Sequence, residues 1–170
     1  MKTRALFSVL AVAALTAGCA TGGNFGAIQA GDSMAAVEQQ APGPSLKRLN
    51  ADGGQTWAYG SPEGRACWIL NFGPGGNLLN KSQTLYEANF VNLRTGQTTE
   101  NDVTWMLCNP YRKYHFSNLN QDVWYYRYVN QSIYKLLQVT FDSRTRLVTA
   151  YAMNPDPDVY GTPATGLLRY

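Results

Sequence analysis

This chain of 170 residues contains little histidine and little cysteine, and neither sign of charge is in large excess. It has one histidine and three cysteines, and it contains 14 lysines and arginines against 11 aspartates and glutamates. Zinc sites need spaced cysteines and histidines, but neither a C-x2-C nor an H-x3-H pair occurs. Nucleic-acid-binding domains need a clustered basic face, which the sequence does not offer. These absences argue against a metal site and against a nucleic-acid partner.

Catalytic motifs are missing as well. The single histidine, His115, lies in the run PYRKYHF without a serine or cysteine motif beside it, so it more simply fills a surface or strand position. Residues 73–76 (GPGG) lack the lysine of a phosphate-binding loop and predict a hairpin turn. Asp156 and Asp158 could touch a calcium ion, but solvated carboxylates are the simpler interpretation. We predict no catalytic residue, no metal and no cofactor, and therefore no enzyme.

Long apolar runs are absent apart from a short one near the start of the chain. Residues 5–15 (ALFSVLAVAAL) carry no charge and follow Lys2 and Arg4. Eleven residues span roughly 16 Å as a helix, which is about half of a bilayer core of roughly 30 Å. A basic start, a short apolar core and small residues after it are typical of a secretory signal peptide. We predict that residues 1–18 form this signal.

A cysteine stands where the predicted signal ends. Residues 15–19 read LTAGC, which resembles the lipobox of bacterial lipoproteins. The resemblance implies that Cys19 carries lipid, and two or more acyl chains give stable membrane anchoring. Inner-membrane lipoproteins commonly have aspartate after the cysteine, and Ala20 stands there instead. The resemblance thus implies the periplasmic side of the outer membrane, with residues 19–27 as a flexible, glycine-containing tether.

The chain from residue 19 onward suits one domain, or two small units that share a core. Without the two cations of the signal it holds 12 basic and 11 acidic residues, so it is nearly neutral. Two cysteines remain besides Cys19, and the oxidising periplasm would allow Cys67 and Cys108 to pair. Two separate buried thiols are the other interpretation, because a free cysteine packs as a small hydrophobic residue.

A weak internal repeat organises the chain. The pattern S-x3-V-x3-A-P-x-P from residue 33 recurs as T-x3-V-x3-L-C-x-P from residue 99. The pattern W-x-Y at residue 57 recurs at residue 124, and F-x5-L at residue 72 recurs at residue 141. Three blocks in the same order indicate two tandem copies. We place them at residues 28–90 and 91–157, and we assign residues 158–170 to a C-terminal tail.

Each copy predicts a short helix followed by a sheet. Ser33 and Thr99 are good N-cap residues, apolar residues four apart share a helical face, and prolines end both helices. Aromatic and β-branched runs with period-two alternation predict strands. The predicted strands are 55–60, 65–72 and 77–86 in the first copy, and 123–129, 134–141 and 146–153 in the second. The predicted fold is α+β: two three-stranded antiparallel meanders, each with its helix on one sheet face.

These patterns resemble the SmpA/OmlA (BamE-like) family of outer-membrane lipoproteins. The shared features are S/T-x3-V-x3-L-G-x-P, then W-x-Y, then a strand ending in F-D before a turn and L-V. Two tandem copies are similar to the architecture of the β-lactamase inhibitor protein family. Cys108 and Pro42 stand where the SmpA/OmlA pattern has a glycine after the helix.

The resemblance implies a non-catalytic role in envelope integrity or in outer-membrane protein assembly. The expected partners are the membrane, through the N-terminal lipid, and an envelope protein. An inhibitor-like protein that caps another protein with its open sheet face is the alternative.

The second copy holds the candidate partner-binding residues. By resemblance the W-x-Y face packs under the helix, which leaves Tyr125 and Arg127 on the open face of the sheet. Tyrosine and arginine are enriched at recognition surfaces, although an ordinary solvated sheet face is an equal alternative. Arg112 and Lys113, in an aromatic-rich stretch predicted to be a loop, could meet a partner or anionic lipid headgroups. A solvated loop is the other interpretation of that stretch.

The predicted arrangement separates Cys67 from Cys108. Cys67 alternates with Trp68 and therefore points away from the helix-facing core of its sheet. Cys108 ends the helix of the other copy, which we expect on the helix side. A disulfide needs Cα atoms within about 7 Å of each other. We therefore expect two unpaired thiols rather than a disulfide.

Overall fold

The computed structural model describes residues 23–161 except residues 42 and 62. The predicted signal peptide, the lipid attachment site Cys19 and residues 162–170 lie outside the described residues. In the part of the chain that is described, no helix has both the length and the apolar character needed to cross a bilayer.

The described chain folds as α+β, with two four-stranded antiparallel sheets and four short helices. The first half comprises α1 (Met34–Gln40), β1 (Leu46–Leu49), β2 (Gln55–Gly60), β3 (Cys67–Phe72) and β4 (Leu78–Gln83). The second half comprises α2 (Glu87–Phe90), α3 (Glu100–Leu107), β5 (Arg112–Phe116), β6 (Gln121–Asn130), β7 (Ile133–Asp142), β8 (Val148–Pro155) and α4 (Pro157–Tyr160). The strands of each sheet follow one another in chain order, β1 to β4 and β5 to β8.

Each sheet has one strand more than the three that the sequence predicted. The added strands β1 and β5 pair with β2 and β6 at the edges of their sheets. Both contain two adjacent cations. The stretch that forms β5 was predicted to be a loop, and no strand was predicted at β1. Edge strands commonly carry charged side chains, because one side of such a strand faces water. The unit predicted as a helix with three strands is a helix with four strands.

Both predicted helices begin at their predicted caps. The Ser33 hydroxyl accepts from the Ala36 amide at 3.2 Å, and the Thr99 hydroxyl accepts from the Asp102 amide at 3.1 Å. The Asp102 carboxylate accepts in turn from the Thr99 amide at 2.9 Å, which completes a capping box. Helices of seven and eight residues are too short to be stable alone, so packing on the sheets must hold them.

The two halves repeat the same backbone contacts. The Gly31 amide donates to the carbonyl of Leu78 at 2.8 Å, and the Gly96 amide donates to the carbonyl of Val148 at 2.7 Å. Each bond joins the segment before a helix to the last strand of its sheet. In both sheets the pairing register also shifts just before the phenylalanine of the F-x5-L pattern.

The helix α1 packs on one face of the first sheet. Val37 of α1 lies in a buried cluster with Trp57 and Leu70. Phe25 also joins this core, because its ring stacks on Trp68 with 5.1 Å between the ring centroids. Residues 23–27 therefore belong to the folded body, and this part of the predicted flexible tether was wrong. Residues 19–22 lie outside the described residues.

The helix α3 belongs to the core of both sheets. Val103 of α3 is fully buried in a cluster with Tyr126 of the second sheet, and the same cluster contains Ala58 of the first sheet. Two further contacts connect α3 to the first half. Arg48 lies over the Trp105 ring, 4.5 Å from its centroid. The Thr84 hydroxyl donates to the Met106 carbonyl at 2.6 Å. The first sheet is therefore covered by α1 on one face and by α3 on the other.

This packing brings the two cysteines together. Cys67 and Cys108 form a disulfide, with 5.5 Å between their Cα atoms, so the expectation of two unpaired thiols was wrong. Cys67 does alternate away from Trp68, as predicted. The face to which it points is covered by α3 of the second half, whereas we had placed both helices on the same side of the molecule.

Candidate functional site

The open face of the second sheet carries a groove of about 300 Å³. It crosses β5, β6 and β7, and the start of α4 lies beside it. Four aromatic side chains contribute to its lining, together with Arg112, Arg127, Leu136 and residues 156–158; the four are Tyr111, Tyr114, Phe116 and Tyr125. The groove thus combines apolar area, hydroxyl groups and both signs of charge.

The alternation of β6 places the two central residues of the groove as predicted. Trp124, Tyr126 and Tyr128 are buried on the α3 side of the sheet. Tyr125 and Arg127 lie on the opposite face, where Tyr125 is paired across the sheet with Gln138. The prediction of which β6 residues face the helix is therefore confirmed.

Arg127, however, is not the solvated side chain that an open face implies. Its side chain is only 11% exposed, and its Nε lies 2.9 Å from the carboxylate of Asp156, which is 2% exposed. Its Nε–H is not aligned with a hydrogen-bond acceptor, so this contact is an ion pair. The guanidinium also lies over the Tyr111 ring, 3.8 Å from the centroid. Arg127 therefore holds the C-terminal segment on the sheet as well as lining the groove.

That segment extends beyond the boundary we predicted. The helix α4 spans the start of the predicted tail at residue 158. Asp156 caps the helix by accepting from the Asp158 amide at 3.0 Å, and the Tyr160 hydroxyl accepts from the Tyr134 amide at 3.1 Å. Aspartate followed by proline is a typical helix start. That signal was present in the D-P-D run, which we had interpreted as solvated carboxylates, with a calcium site as the alternative.

The aromatic wall of the groove comes from a strand that we had interpreted as a loop. Tyr114 and Phe116 of β5 are two residues apart, so they share one face of the strand, and their ring centroids are 6.4 Å apart. The Tyr114 ring meets Tyr125 edge-on, with 5.7 Å between the centroids. Alternation of Arg112, Tyr114 and Phe116 in the sequence was the signal that could have identified this face.

The same alternation separates two of the predicted binding residues. Arg112 pairs with Tyr125 and lines the groove, whereas Lys113 pairs with Trp124 on the opposite face. The Lys113 amine lies 3.7 Å from the centroid of the Trp124 ring. The structure therefore brings three of the four predicted residues together and places Lys113 outside the groove.

Tyr125 is a hydrogen-bonding group that stays neutral. Burial, and in addition the neighbouring Tyr114, raises the pKa of the Tyr125 hydroxyl above its ordinary value. The hydroxyl therefore remains protonated at physiological pH and can donate to an acceptor in the groove.

Comparisons with known proteins do not assign the chain to a family. No protein-family model matches the chain, and neither a curated protein nor a solved structure matches it. The likeness to SmpA/OmlA lipoproteins therefore rests on the sequence patterns alone.

The single histidine lies on the face of β5 away from the groove. His115 Nδ1 is 2.7 Å from a carboxylate oxygen of Asp122, whose other oxygen faces Arg146 at 3.4 Å. Arg146 also pairs with the buried Glu100, and burial raises the pKa of the Glu100 carboxyl. Over the described residues, His115 has no serine, threonine or cysteine hydrogen-bonded to it.

Three or more histidine, cysteine, aspartate or glutamate side chains do not converge into a metal-binding group anywhere in the described part of the chain. The absence of catalysis and of a metal stays a prediction.

Proposed function

We propose that this protein is a lipid-anchored, periplasmic protein of the outer membrane that binds another envelope protein through the groove of its second sheet, without catalysis. The observation that carries the proposal is the composition of the groove. Tyrosine and arginine dominate the binding energy of protein interfaces, because they offer large contact area and hydrogen bonds together. Tyr114 and Phe116 leave 45% and 40% of their surfaces exposed, so the described residues leave part of this apolar area uncovered.

The rigidity of the surrounding fold supports a binding role. The groove residues of β5 and β6 lie on paired strands, and α3 packs against the opposite face of the same sheet. A preorganised surface loses little conformational entropy when a partner binds. A sheet with α3 packed on its opposite face is thus better suited to binding a partner than an isolated loop would be.

The proposed location rests on the N-terminal sequence and on the disulfide. The lipobox-like run ending at Cys19 supports a lipid anchor. The disulfide between Cys67 and Cys108 supports export, since such bonds persist in oxidising compartments. We further propose that the two halves are tandem copies of an SmpA/OmlA-like unit, in line with the backbone contacts that they share.

A photo-crosslinking residue at position 114 tests the groove in intact cells. Tyr114 faces the groove, and the neighbouring His115 faces the other side of the same strand, so position 115 is a matched control. We expect a defined envelope protein to be captured from position 114 and not from position 115. The additional change Tyr125→Ala should reduce that capture strongly, because truncating an interface hot spot costs about 2 kcal/mol or more. Equal capture from both positions, or none, would contradict the proposed binding face.

The membrane anchor is tested separately by Cys19→Ser. This variant should remain unlipidated and should move from the membrane fraction to the soluble fraction. Retention in the outer membrane at the level of the unchanged protein would show that the anchor is not at Cys19. The inhibitor-like alternative predicts that the captured partner is an enzyme whose activity falls when the purified protein is added.

A further inference from the structure

One end of the groove is a carboxylate-binding cradle occupied by the chain's own aspartate. The carboxylate of Asp158 pairs with an Nη of Arg127 and lies 3.9 Å from an Nη of Arg112. The hydroxyl of Tyr111 donates to the same carboxylate at 3.4 Å. Three donor groups, on β5, on β6 and on the residue before β5, thus converge on one acidic side chain.

Asp158 is not needed to neutralise the buried part of this cluster. Arg127 already has the buried Asp156 as its ion-pair partner. Asp158 itself is 49% exposed and Arg112 is 51% exposed. The pair between Asp158 and Arg112 therefore contributes little, because water and salt compete for both charges. The pair between Asp158 and Arg127 joins an 11% exposed guanidinium to this half-exposed carboxylate. Another carboxylate could therefore replace Asp158 without leaving a buried charge unpaired.

The cradle is continuous with the apolar part of the groove. Tyr114, Phe116, Tyr125 and Leu136 line the same cavity as the two arginines and Asp158. A ligand that placed a carboxylate between Arg112 and Arg127 would extend its neighbouring atoms over these side chains.

We propose that the groove recognises an acidic side chain flanked by apolar residues in a partner polypeptide, and that Asp158 occupies the carboxylate position until the partner displaces it. The proposal rests on the proposed function in one respect, that the groove binds a protein. Charge complementarity supports the proposal: without Asp158, two guanidinium groups face the cavity, and among the described residues Arg112 has no other carboxylate within ion-pair distance.

Three small probes of nearly equal size and shape test the preferred charge. They are 3-phenylpropionate, the neutral 3-phenylpropanamide and the cation 3-phenylpropylammonium, each titrated into the purified chain. The NMR signals of the Tyr125 ring and the Arg112 side chain report binding in the groove. We expect the carboxylate to shift these signals at the lowest concentration, and the amide and the ammonium to bind more weakly.

Two variants and a matched control then test the role of Asp158. Asp158→Asn keeps the shape and removes the competing charge, so it should tighten carboxylate binding by about two- to fivefold, the range that exposed ion pairs allow. Arg112→Gln should weaken binding by a similar factor. Lys113→Gln removes the same charge from the opposite face of β5 and should leave the affinity unchanged. Arg127 is left intact because it supports the buried Asp156.

The opposite results would overturn the proposal. A preference for the ammonium probe, together with weaker binding in Asp158→Asn, would assign the groove to a cationic partner. Failure of all three probes to shift the groove signals would also overturn it. The two proposals can be told apart: crosslinking from position 114 without a carboxylate preference leaves the binding function standing and overturns this proposal. Carboxylate binding without crosslinking overturns the binding function, and with it the polypeptide partner proposed here, and leaves only a site for a small carboxylate.

Discussion

At the scale of single residues, Cys108 has the backbone conformation least suited to a side chain. Its φ is 59° and its ψ is −151°, a region that is occupied almost entirely by glycine. The SmpA/OmlA pattern has a glycine at this position after the helix. A β-carbon there costs on the order of 1–3 kcal/mol. Cys108 adopts this unfavourable conformation and also forms the disulfide bond to Cys67.

This strain can be measured once the disulfide is removed. We compare Cys67→Ala combined with Cys108→Ala against Cys67→Ala combined with Cys108→Gly, since both variants lack the bond. The glycine variant should be more stable by about 1 kcal/mol or more, because glycine adopts positive φ without a steric penalty. Urea unfolding of the two proteins measures the difference. An alanine variant of equal or greater stability would show that residue 108 is not strained.

At the scale of elements, three strands of each sheet were predictable and the first strand of each sheet, β1 or β5, was not. β2, β3, β6 and β7 were located within two residues at each end, because buried alternation gives a strong period-two signal. The edge strands β1 and β5 mix cations with apolar residues and lack that signal. The four-residue helices α2 and α4 are too short for helical periodicity to appear. Half of the residues that line the groove lie on β5 and α4, so the site was harder to predict than the fold.

The short helix α2 is attached to the second sheet by the buried ring of Phe90, which packs against Tyr128, and by the carboxylate of Glu87. Glu87 accepts hydrogen bonds from Lys135 at 2.7 Å, from Tyr128 at 2.8 Å and from Asn130 at 2.6 Å. The bonds from Lys135 and Tyr128 are the main causes that lower the pKa of Glu87 below its ordinary value of 4.5. The folded state therefore binds this proton less readily than the unfolded state, and the contribution of Glu87 to stability exists above pH 4.5.

The effect of Glu87 on stability should therefore depend on pH. Glu87→Gln should unfold more easily than the unchanged protein at pH 7, because it loses the charged acceptor. The difference should shrink as the pH falls below about 4.5 and the native carboxylate is protonated. Thermal unfolding of both proteins between pH 7 and pH 3 measures this difference. A gap that stays constant over this range would mean that the Glu87 carboxylate is not responsible.

At the scale of the whole molecule, the sequence predicted two halves but not how they pack. Alternation along β3 correctly placed Cys67 on the face away from α1. It could not show what covers that face, because Ala58 and Cys67 are small residues that fit a solvated sheet as readily as a contact with a helix. That information depends on the path of the chain between the halves. The pairing of the cysteines followed from the packing of α3 and could not be deduced from either half alone.

Because α3 completes the core of both sheets, the halves should unfold together. Leu70 is buried in the first sheet and Val139 in the second, and their amide signals should disappear at the same urea concentration. The disulfide closes a loop with a sequence separation of 41 residues. Loop-closure entropy then gives a stabilisation of about 4 kcal/mol, which reduction should remove from both halves equally. Loss of the Leu70 signal well before that of Val139, in the oxidised protein, would show that α3 does not couple the two sheets.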